Sequence, residues 1–346
     1  MKTMNTFPRA FAATLTATAM VLASCSSTES GSATGSSSDA KKSEETINLV
    51  ASTSIWSDVA ESVIEGSPLQ DKVEITPIIE GNNTDPHHFE PAAQDIARAT
   101  EADVVVVGGG GYDAWLYDAL ENQDNVVHAL PLIAHNHEGH DHEGHDHEHG
   151  HEHGGEHGEE AHEHSHEHDH EHSEKGTIES IDGNEHIWYD TTALEHVAEG
   201  IAEKINEAAP EGEKVDITEF EKKIESLHER IHELPEKTYA QTEPIADYIL
   251  AHSEMKDQTP ESYRKQTLSH GEPTASDLNA FLEAIKSGDI DVLIYNPQTK
   301  TDLTDRIRKA AEDENIPVVE IGETPPEGAN FFDYYSEVLD KLESLA

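Results

Sequence analysis

Histidine is concentrated in one segment of this 346-residue chain. Sixteen of its 25 histidines lie between His135 and His172, where they alternate with Glu, Asp and Gly and where Lys and Arg are absent. Imidazole nitrogens and carboxylate oxygens at this density are ligands for borderline transition metals, with Zn²⁺ expected first. The candidate auxiliary, low-affinity ligands in this His-rich tract are His135, His137, His140, His142, His145, His147, His149, His151, His153, His157, His162, His164, His166, His168, His170 and His172. The tract indicates a protein that handles a metal.

The tract has too few apolar residues to form a core, so the sequence predicts a disordered loop over residues 134–177.

Three windows, starting at His147, His162 and His166, match the H-E-x-x-H pattern of zinc hydrolases. That pattern works only on a helix, where both His share a face and the Glu is the general base. Alternating His and Glu produces it by chance, and the nearby glycines oppose a helix. We therefore do not predict an enzyme.

Four short segments outside the tract also carry His or carboxylate side chains. They are D-P-H-H-F-E-P at 85–91, N-E-H-I-W-Y-D at 184–190, T-E-P at 242–244 and E-I-G-E-T-P at 320–325. Each lies at a predicted strand end or helix start, which is where open α/β sheets place their binding sites. These segments are the candidates for a site within the folded part.

The first half of the folded part alternates predicted strands with helices. The strands are Ile47–Ala51, Val73–Ile79 and Val104–Val107, and the helices are Ile55–Ile64, Ala92–Thr100, Tyr112–Glu121 and Thr191–Ala208. This alternation is typical of an α/β unit with a mainly parallel sheet. The glycine run that follows Val107 lacks the G-x-G-x-x-G spacing, so a dinucleotide site is not expected.

The second half repeats the alternation after a long helix. Apolar residues recur at helical spacing from Ile217 to Leu234, over about five turns, and Pro235 ends the pattern. The later strands are Tyr239–Thr242, Val292–Tyr295 and Val318–Ile321, and the helices are Ile245–His252, Ala275–Ser287, Asp302–Asp313 and Phe331–Leu345. The predicted fold class is α/β: a lobe at 46–210, a linking helix at 211–235 and a lobe at 236–346, with a ligand in the cleft between the lobes.

The N-terminus has the pattern of a secretory signal. Lys2 and Arg9 precede an apolar run at 10–23, and the only cysteine, Cys25, follows in L-A-S-C. This run resembles the lipobox of bacterial lipoproteins, which implies a signal peptide at 1–25 and lipidation of Cys25. A flexible tether is predicted at 26–45. The expected location is extracytoplasmic, with a lipid anchor in the cell membrane.

The formal net charge of −50 argues against a nucleic-acid partner. Phosphate binding needs a basic surface, whereas the acidic excess here extends beyond the tract. The expected partners are therefore metal ions and proteins.

Taken together, the motifs D-P-H-H-F-E-P, E-H-I-W-Y-D, T-E-P, N-P-Q-T at 296–299 and V-V-E-I-G-E-T-P-P-E-G resemble the zinc/manganese-binding family of ABC-transporter solute-binding lipoproteins. The resemblance runs in order from Ile47 to the C-terminus. It implies two α/β lobes joined by a rigid helix, with four side chains holding one divalent ion between them.

By position, the resemblance implies His87, His186, Glu243 and Glu323 as metal ligands. The family has His in many zinc members and Glu in many manganese members where this chain has Glu243, so Mn²⁺ is the alternative to Zn²⁺. Two further residues compete: His252 for the place of Glu243, and Glu320 for that of Glu323. Asp85 and Asp190 are the candidates for second-layer partners that fix an imidazole tautomer. His88, His128, His196, His228 and His232 are expected to be surface or structural histidines.

The resemblance implies a receptor that captures Zn²⁺ and delivers it to an ABC permease and its ATPase, as a monomer. Two other functions remain open. A secreted zinc hydrolase would need an open coordination position and a general base. A surface adhesin or zinc-storage lipoprotein would depend mainly on the His-rich tract.

Overall fold

The computed structural model describes residues 46–84, 86–133 and 178–346. Its first sheet has the strand order β2-β1-β3-β4, and every pairing is parallel. These strands are β1 (Ile47–Thr53), β2 (Val73–Ile79), β3 (Val104–Val107) and β4 (Val126–His128). All four valines of β3 are buried, as expected for a parallel strand covered on both faces.

Helices cover this sheet through apolar faces. The helices of this part are α1 (Ser54–Ile64), α2 (Ala93–Thr100), α3 (Ala114–Tyr117) and α4 (Thr191–Ala208). The stripe of α4 that includes Leu194, Val197 and Ile201 is fully buried. Its N-terminus is capped by Asp190, whose Oδ1 accepts a 2.9 Å hydrogen bond from the Ala193 N–H.

The second sheet is also entirely parallel, with the order β6-β5-β7-β8. Its strands are β5 (Thr238–Gln241), β6 (Lys256–Asp257), β7 (Val292–Tyr295) and β8 (Val318–Glu320). The helices of this part are α6 (Asp247–Leu250), α7 (Glu261–Leu268), α8 (Ala275–Ser287), α9 (Asp302–Asp313) and α10 (Phe331–Glu343). In register, Tyr239 pairs with Val292 and Leu293 pairs with Val318.

Between these two parts lies helix α5 (Thr218–His232), whose buried seam is Phe220, Ile224, Leu227 and Ile231. It occupies 15 residues, about four turns, inside the 211–235 segment that the sequence predicts as the linking helix. A turn before it is closed by the Glu213 N–H, which donates to the Pro210 carbonyl at 3.1 Å, and the Val215 N–H donates to Asn206 Oδ1 of α4 at 2.8 Å. Near the C-terminus of α5, the Arg230 guanidinium binds Glu343 and Asp340 of α10.

The predicted α/β class with parallel sheets is confirmed, but the sequence did not indicate two of the strands and one of the α-helices. These are β4, β6 and α7. The helix predicted at Tyr112–Glu121 is limited to the four residues of α3. No helix within the described ranges is both long and apolar enough to cross a membrane. Cys25, Asp85 and the His-rich tract lie outside the described residues.

Candidate metal centre

The four predicted ligands are brought together from segments after strands of the two sheets and from the segment before α4. His87 lies in a 3₁₀ turn (Pro86–His88) after β2, and His186 immediately precedes another (Ile187–Tyr189). Glu243 follows β5 by two residues, and Glu323 follows β8 by three. Parallel strands end at the same sheet edge, which is why residues distant in sequence meet there.

The ligand atoms of these four side chains all lie within 4.8 Å of one another. Nε2 of His87 is 3.8 Å from Glu243 Oε1 and 3.5 Å from Glu323 Oε2. Nε2 of His186 is 3.6 Å from Glu243 Oε1. Ligands of a tetrahedral Zn²⁺ lie about 3.3 Å apart when each bond is about 2.0–2.1 Å. The three separations above exceed this spacing by a few tenths of an ångström, and all the ligand atoms lie within 4.8 Å of one another, so a modest closure would bring them around one ion.

Burial of the cluster sets its electrostatics. Glu323 is fully buried, and the side chain of His186 is 3% exposed, with no hydrogen-bond partner for its Nε2. Burial, together with the nearby His87 and His270, lowers the pKa of His186 well below its usual 6.5. Burial and the neighbouring Glu323 raise the pKa of Glu243 to about 7. A divalent cation would stabilise both the buried imidazole and the buried carboxylates, because it accepts the lone pair of the neutral imidazole and attracts the two negative charges.

The imidazole of His186 is oriented by Asn184. Asn184 Oδ1 contacts His186 Nδ1 at 2.7 Å and accepts the His186 N–H at 3.0 Å. The Asn184 amide in turn donates to Asp247 Oδ2 at 2.9 Å, and Asp247 is paired with Arg264 at 2.8 Å. This chain fixes which nitrogen of His186 faces the cleft.

The structure does not place Asp190, a predicted second-layer partner, at this ring. Within the described part of the chain, Asn184 rather than Asp190 holds Nδ1 of His186. The Asp190 carboxylate instead caps α4 and lies 3.9 Å from His252 Nε2, because Asp190 is already beyond the turn that carries His186. Asp85, the other candidate, lies outside the described residues.

The two carboxylates are held by residues that the sequence analysis did not assign to the site. Asn296, directly after β7, donates to Glu243 Oε2 at 2.5 Å and to Glu323 Oε1 at 3.2 Å. The Thr299 hydroxyl also donates to Glu243 Oε2, and the Tyr112 hydroxyl donates to Glu323 Oε2 at 3.0 Å. The N-P-Q-T motif at 296–299 was the available signal for Asn296 and Thr299, but nothing in the sequence indicated Tyr112.

The glycine run after β3 positions Tyr112. Its next neighbour, Asp113, is buried and accepts hydrogen bonds from the N–H groups of Gly108 and Gly109 and from the Ser52 hydroxyl. The loop therefore wraps around a carboxylate of its own chain. Burial raises the pKa of Asp113 to about 6, although these hydrogen bonds oppose the shift.

A second trio, His87, Glu185 and His270, borders the first site, with its ligand atoms also within 4.8 Å of one another. His270 Nε2 is 3.5 Å from Glu185 Oε2, and Gly111 N–H donates to Glu185 Oε1 at 2.7 Å. The His270 ring packs on that of His87 at 4.6 Å between centroids. His270 was another residue without a sequence signal, since it lies in a turn rather than a motif.

The competing ligands lie elsewhere. Glu320 is 46% exposed and paired with Arg308 at 2.6 Å. His252 lies beside His228, His232 and Asp190 rather than beside Glu243. Of the two carboxylates near the end of β8, the structure thus brings Glu323 to the imidazoles. The side chain of His88 is outside the described set.

The chemistry of the donor set fits one divalent ion. Two neutral imidazoles and two carboxylates carry a charge of about −2, which balances a dication. A family model described as the zinc-uptake complex component A, periplasmic (ZnuA), matches residues 49–345 of this chain. The chain belongs to the ZnuA family. The resemblance inferred from the motifs is thereby confirmed at the level of the family.

Two lipoprotein relatives align with shorter parts of this ZnuA-family chain. The metal ABC transporter substrate-binding lipoprotein ScbA of Streptococcus cristatus is 31% identical over 105 residues, which are 29% of this chain and 29% of ScbA. The manganese-binding lipoprotein MntA of Halalkalibacterium halodurans is 32% identical over 122 residues, 33% of this chain and 36% of MntA. In each relative, the aligned part is thus well under two thirds of the protein.

The fold is similar to that of solved members of this group. The periplasmic zinc-binding protein TroA from Treponema pallidum superposes with a TM-score of 0.57 at 12% identity, over 87% of this chain and 99% of that one. At this identity, the similarity shows the fold alone.

Proposed function

We propose that this chain is the extracytoplasmic receptor of an ABC importer, which captures Zn²⁺ and delivers it to the permease and its ATPase. The single observation that carries the proposal is the meeting of His87, His186, Glu243 and Glu323 within 4.8 Å. Ligands that follow strands of both sheets would let the ion favour one arrangement of the two parts around α5. This favours binding and release over catalysis.

We propose zinc rather than manganese because of the number and type of ligand atoms that the protein offers. Four protein ligands, two of them imidazoles, match the tetrahedral preference of Zn²⁺, whereas Mn²⁺ favours more oxygen ligands in an octahedral arrangement. The His-rich tract supports the same choice. Manganese is the second candidate, because the site contains two carboxylates and MntA is named as manganese-binding.

The remaining parts of the proposal rest on the sequence and the family. Cys25 would carry the lipid anchor, residues 26–45 the tether, and the tract a low-affinity store of zinc near the cleft. Lobes at 46–210 and 236–346 would close on the ion through a small movement about α5. We propose a monomer. The hydrolase alternative is disfavoured because four protein side chains would fill the ligand positions of a tetrahedral ion, which would leave no place for the water that catalysis needs.

A competition titration tests the proposal. The unlipidated chain and a variant lacking 134–177 are titrated with Zn²⁺ and Mn²⁺ against a chelator of known affinity, and native mass spectrometry counts the bound ions. We expect one tight zinc ion that outcompetes manganese, a loss of at least about 100-fold in affinity for His186→Ala, and no change for the control His196→Ala. Preference for manganese would move the assignment to manganese import. Absence of a tight site would leave only storage by the tract.

A further inference from the structure

Three histidines outside the cleft form a cluster of their own. His228 and His232 lie one turn apart on α5, and His252 lies just after α6. Nε2 of His228 and Nε2 of His232 are 2.9 Å apart. The centroid of the His252 ring is 5.3 Å from that of His228 and 6.5 Å from that of His232. The sequence did not indicate that these three histidines cluster, because His252 is distant in the chain from the other two.

The two Nε2 atoms are close enough to bind one proton or one metal ion between them. Two imidazoles that face each other through Nε2 can share one proton, and a metal ion can replace that proton. In a tetrahedral zinc site the two nitrogens would lie about 3.3 Å apart, so a shift of a few tenths of an ångström is sufficient. Histidines at i and i+4 of a helix share one face and suit this geometry.

The His252 ring lies at nearly the distance from the other two rings that binding to one shared Zn²⁺ requires. Around one Zn²⁺, imidazole centroids lie about 5 Å apart, since each is about 3.2 Å from the ion. The observed separations are 4.5, 5.3 and 6.5 Å. His232 is exposed and the side chain of His252 is 34% exposed, so both rings can turn towards a common centre without repacking the core.

Neighbouring groups orient the cluster. The Thr191 hydroxyl contacts Nδ1 of His228 at 3.1 Å, which directs Nε2 of that ring towards His232. Asp190 Oδ2 lies 3.9 Å from His252 Nε2, while Oδ1 of the same carboxylate caps α4. An oxygen donor is therefore present beside the three nitrogens.

We propose that His228, His232 and His252 form a second binding site for a borderline divalent transition metal such as Zn²⁺, with the Asp190 carboxylate beside it. The site shares no ligand with the cleft, so it is independent of the proposed receptor function. A bound ion would tie α5 to the end of α6 and to the start of α4. The first residue of α4 follows the short segment that carries His186.

Histidine footprinting on the full chain tests this site. Diethyl pyrocarbonate acylates unliganded imidazoles, and metal ligation protects them. The tryptic peptides 224–230, 231–237 and 238–256 contain His228, His232 and His252 respectively, one histidine each. Chelator-buffered Zn²⁺ sets the free ion concentration despite the His-rich tract. We expect the three histidines to become protected together, with a common midpoint at least about tenfold below that of His196, a half-buried histidine that belongs to neither cluster.

Variants separate the cluster from independent surface binding. In His232→Ala, the free Zn²⁺ needed to protect His228 and His252 should rise by at least about tenfold, because both lose a shared ion. The control His196→Ala should leave all three midpoints unchanged. His186→Ala should remove cleft binding and also leave them unchanged, which distinguishes this site from the receptor site. Unaltered protection of His228 and His252 in His232→Ala would overturn the proposal, as would midpoints equal to that of His196.

Discussion

Tyr112 and Glu323 are joined by a 3.0 Å hydrogen bond from the tyrosine hydroxyl to Oε2, between residues that are 211 positions apart. Oε2 is also the oxygen 3.5 Å from His87 Nε2. The bond thus fixes a carboxylate at the point where segments following the two sheets meet. Burial and Glu323 raise the pKa of Tyr112 well above its usual value, so the hydroxyl keeps its proton and remains a donor.

Tyr112→Phe should therefore weaken zinc binding by about tenfold, since a hydrogen bond to a charged group contributes about 1.5–3 kcal/mol and part of that is recovered by the bound ion. The measurement is a chelator competition titration. Tyr335→Phe is the matched control, because Tyr335 is equally buried but donates to the Tyr189 carbonyl. Equal losses in the two variants would show that the bond has no specific role at the site.

Asn184→Ala should lower zinc affinity by about 10–100-fold without removing a ligand. The reason is that Asn184 Oδ1 holds Nδ1 of His186, so the ring would lose its fixed orientation. Asn206→Ala is the control, because that side chain holds the turn before α5 and lies outside the cluster. An Asn184→Ala protein that binds zinc as tightly as the wild type would contradict the proposed orienting role.

The metal-free protein should lose stability as pH rises from about 4.5 to about 7 through Glu243. Its pKa is raised from 4.5 to about 7 by burial and by Glu323, so in this window the folded state binds a proton that the unfolded state has released. The contribution to the free energy of unfolding is about 3 kcal/mol in total. Glu243→Gln removes this titration. The difference in the free energy of unfolding between the wild type and Glu243→Gln therefore isolates the contribution of Glu243.

The check is urea unfolding of both proteins with excess chelator at pH 5 and at pH 8. Relative to Glu243→Gln, the wild type should be less stable at pH 8 than at pH 5. A difference that stays constant with pH would mean that Glu243 is ionised throughout.

Gly109→Ala should destabilise the fold by at least about 3 kcal/mol. Gly109 has φ +79°, and an added Cβ would lie 2.0 Å from the backbone oxygen of Leu130. Gly66→Ala is the control: its φ is +70° but the space around its Cβ is open, so only the left-handed backbone cost of about 1–2 kcal/mol remains. Denaturant midpoints measure both, and similar losses would rule out the clash with Leu130.

Deletion of 134–177 should reduce the number of zinc ions bound without changing the affinity of the tightest one. The four cleft ligands all lie outside that segment, and residues on both sides of it are held in the fold. Native mass spectrometry with chelator competition measures both quantities. Loss of the tight site in the deletion variant would show that the tract completes the cleft, contrary to the division of labour proposed here.

Elements with strong apolar periodicity could be predicted from the sequence with accurate bounds, as α4, α8 and α9 show. The missed strands have no such signal. β6 is two exposed residues, Lys256 and Asp257, whose strand character comes only from pairing with β5. Helix α5 is shorter than the 211–235 segment predicted as the linking helix, because contacts such as that of the Val215 N–H with Asn206 Oδ1 hold the preceding residues outside the helix.

The four clustered ligands could be selected from the motifs and the family resemblance that these motifs carry, whereas the hydrogen bonds that hold the ligands could not be predicted. Asn184, Tyr112 and Asn296 act through hydrogen bonds that exist only once the chain has folded. The choice of Glu323 over Glu320 is physical: Glu320 is half-exposed and bound by Arg308, while Glu323 turns into the buried cleft. Asp190 is close to His186 in sequence, but its carboxylate caps α4 and lies near His252 rather than at the His186 ring.

The most direct test of the account is a crystal structure of the protein loaded with one equivalent of Zn²⁺, with anomalous diffraction collected at the zinc edge. We expect the strongest anomalous peak to lie within about 2.3 Å of Nε2 of His87, Nε2 of His186 and one carboxylate oxygen each of Glu243 and Glu323. A strongest peak elsewhere, or a peak in the cleft that lacks either imidazole, would contradict it.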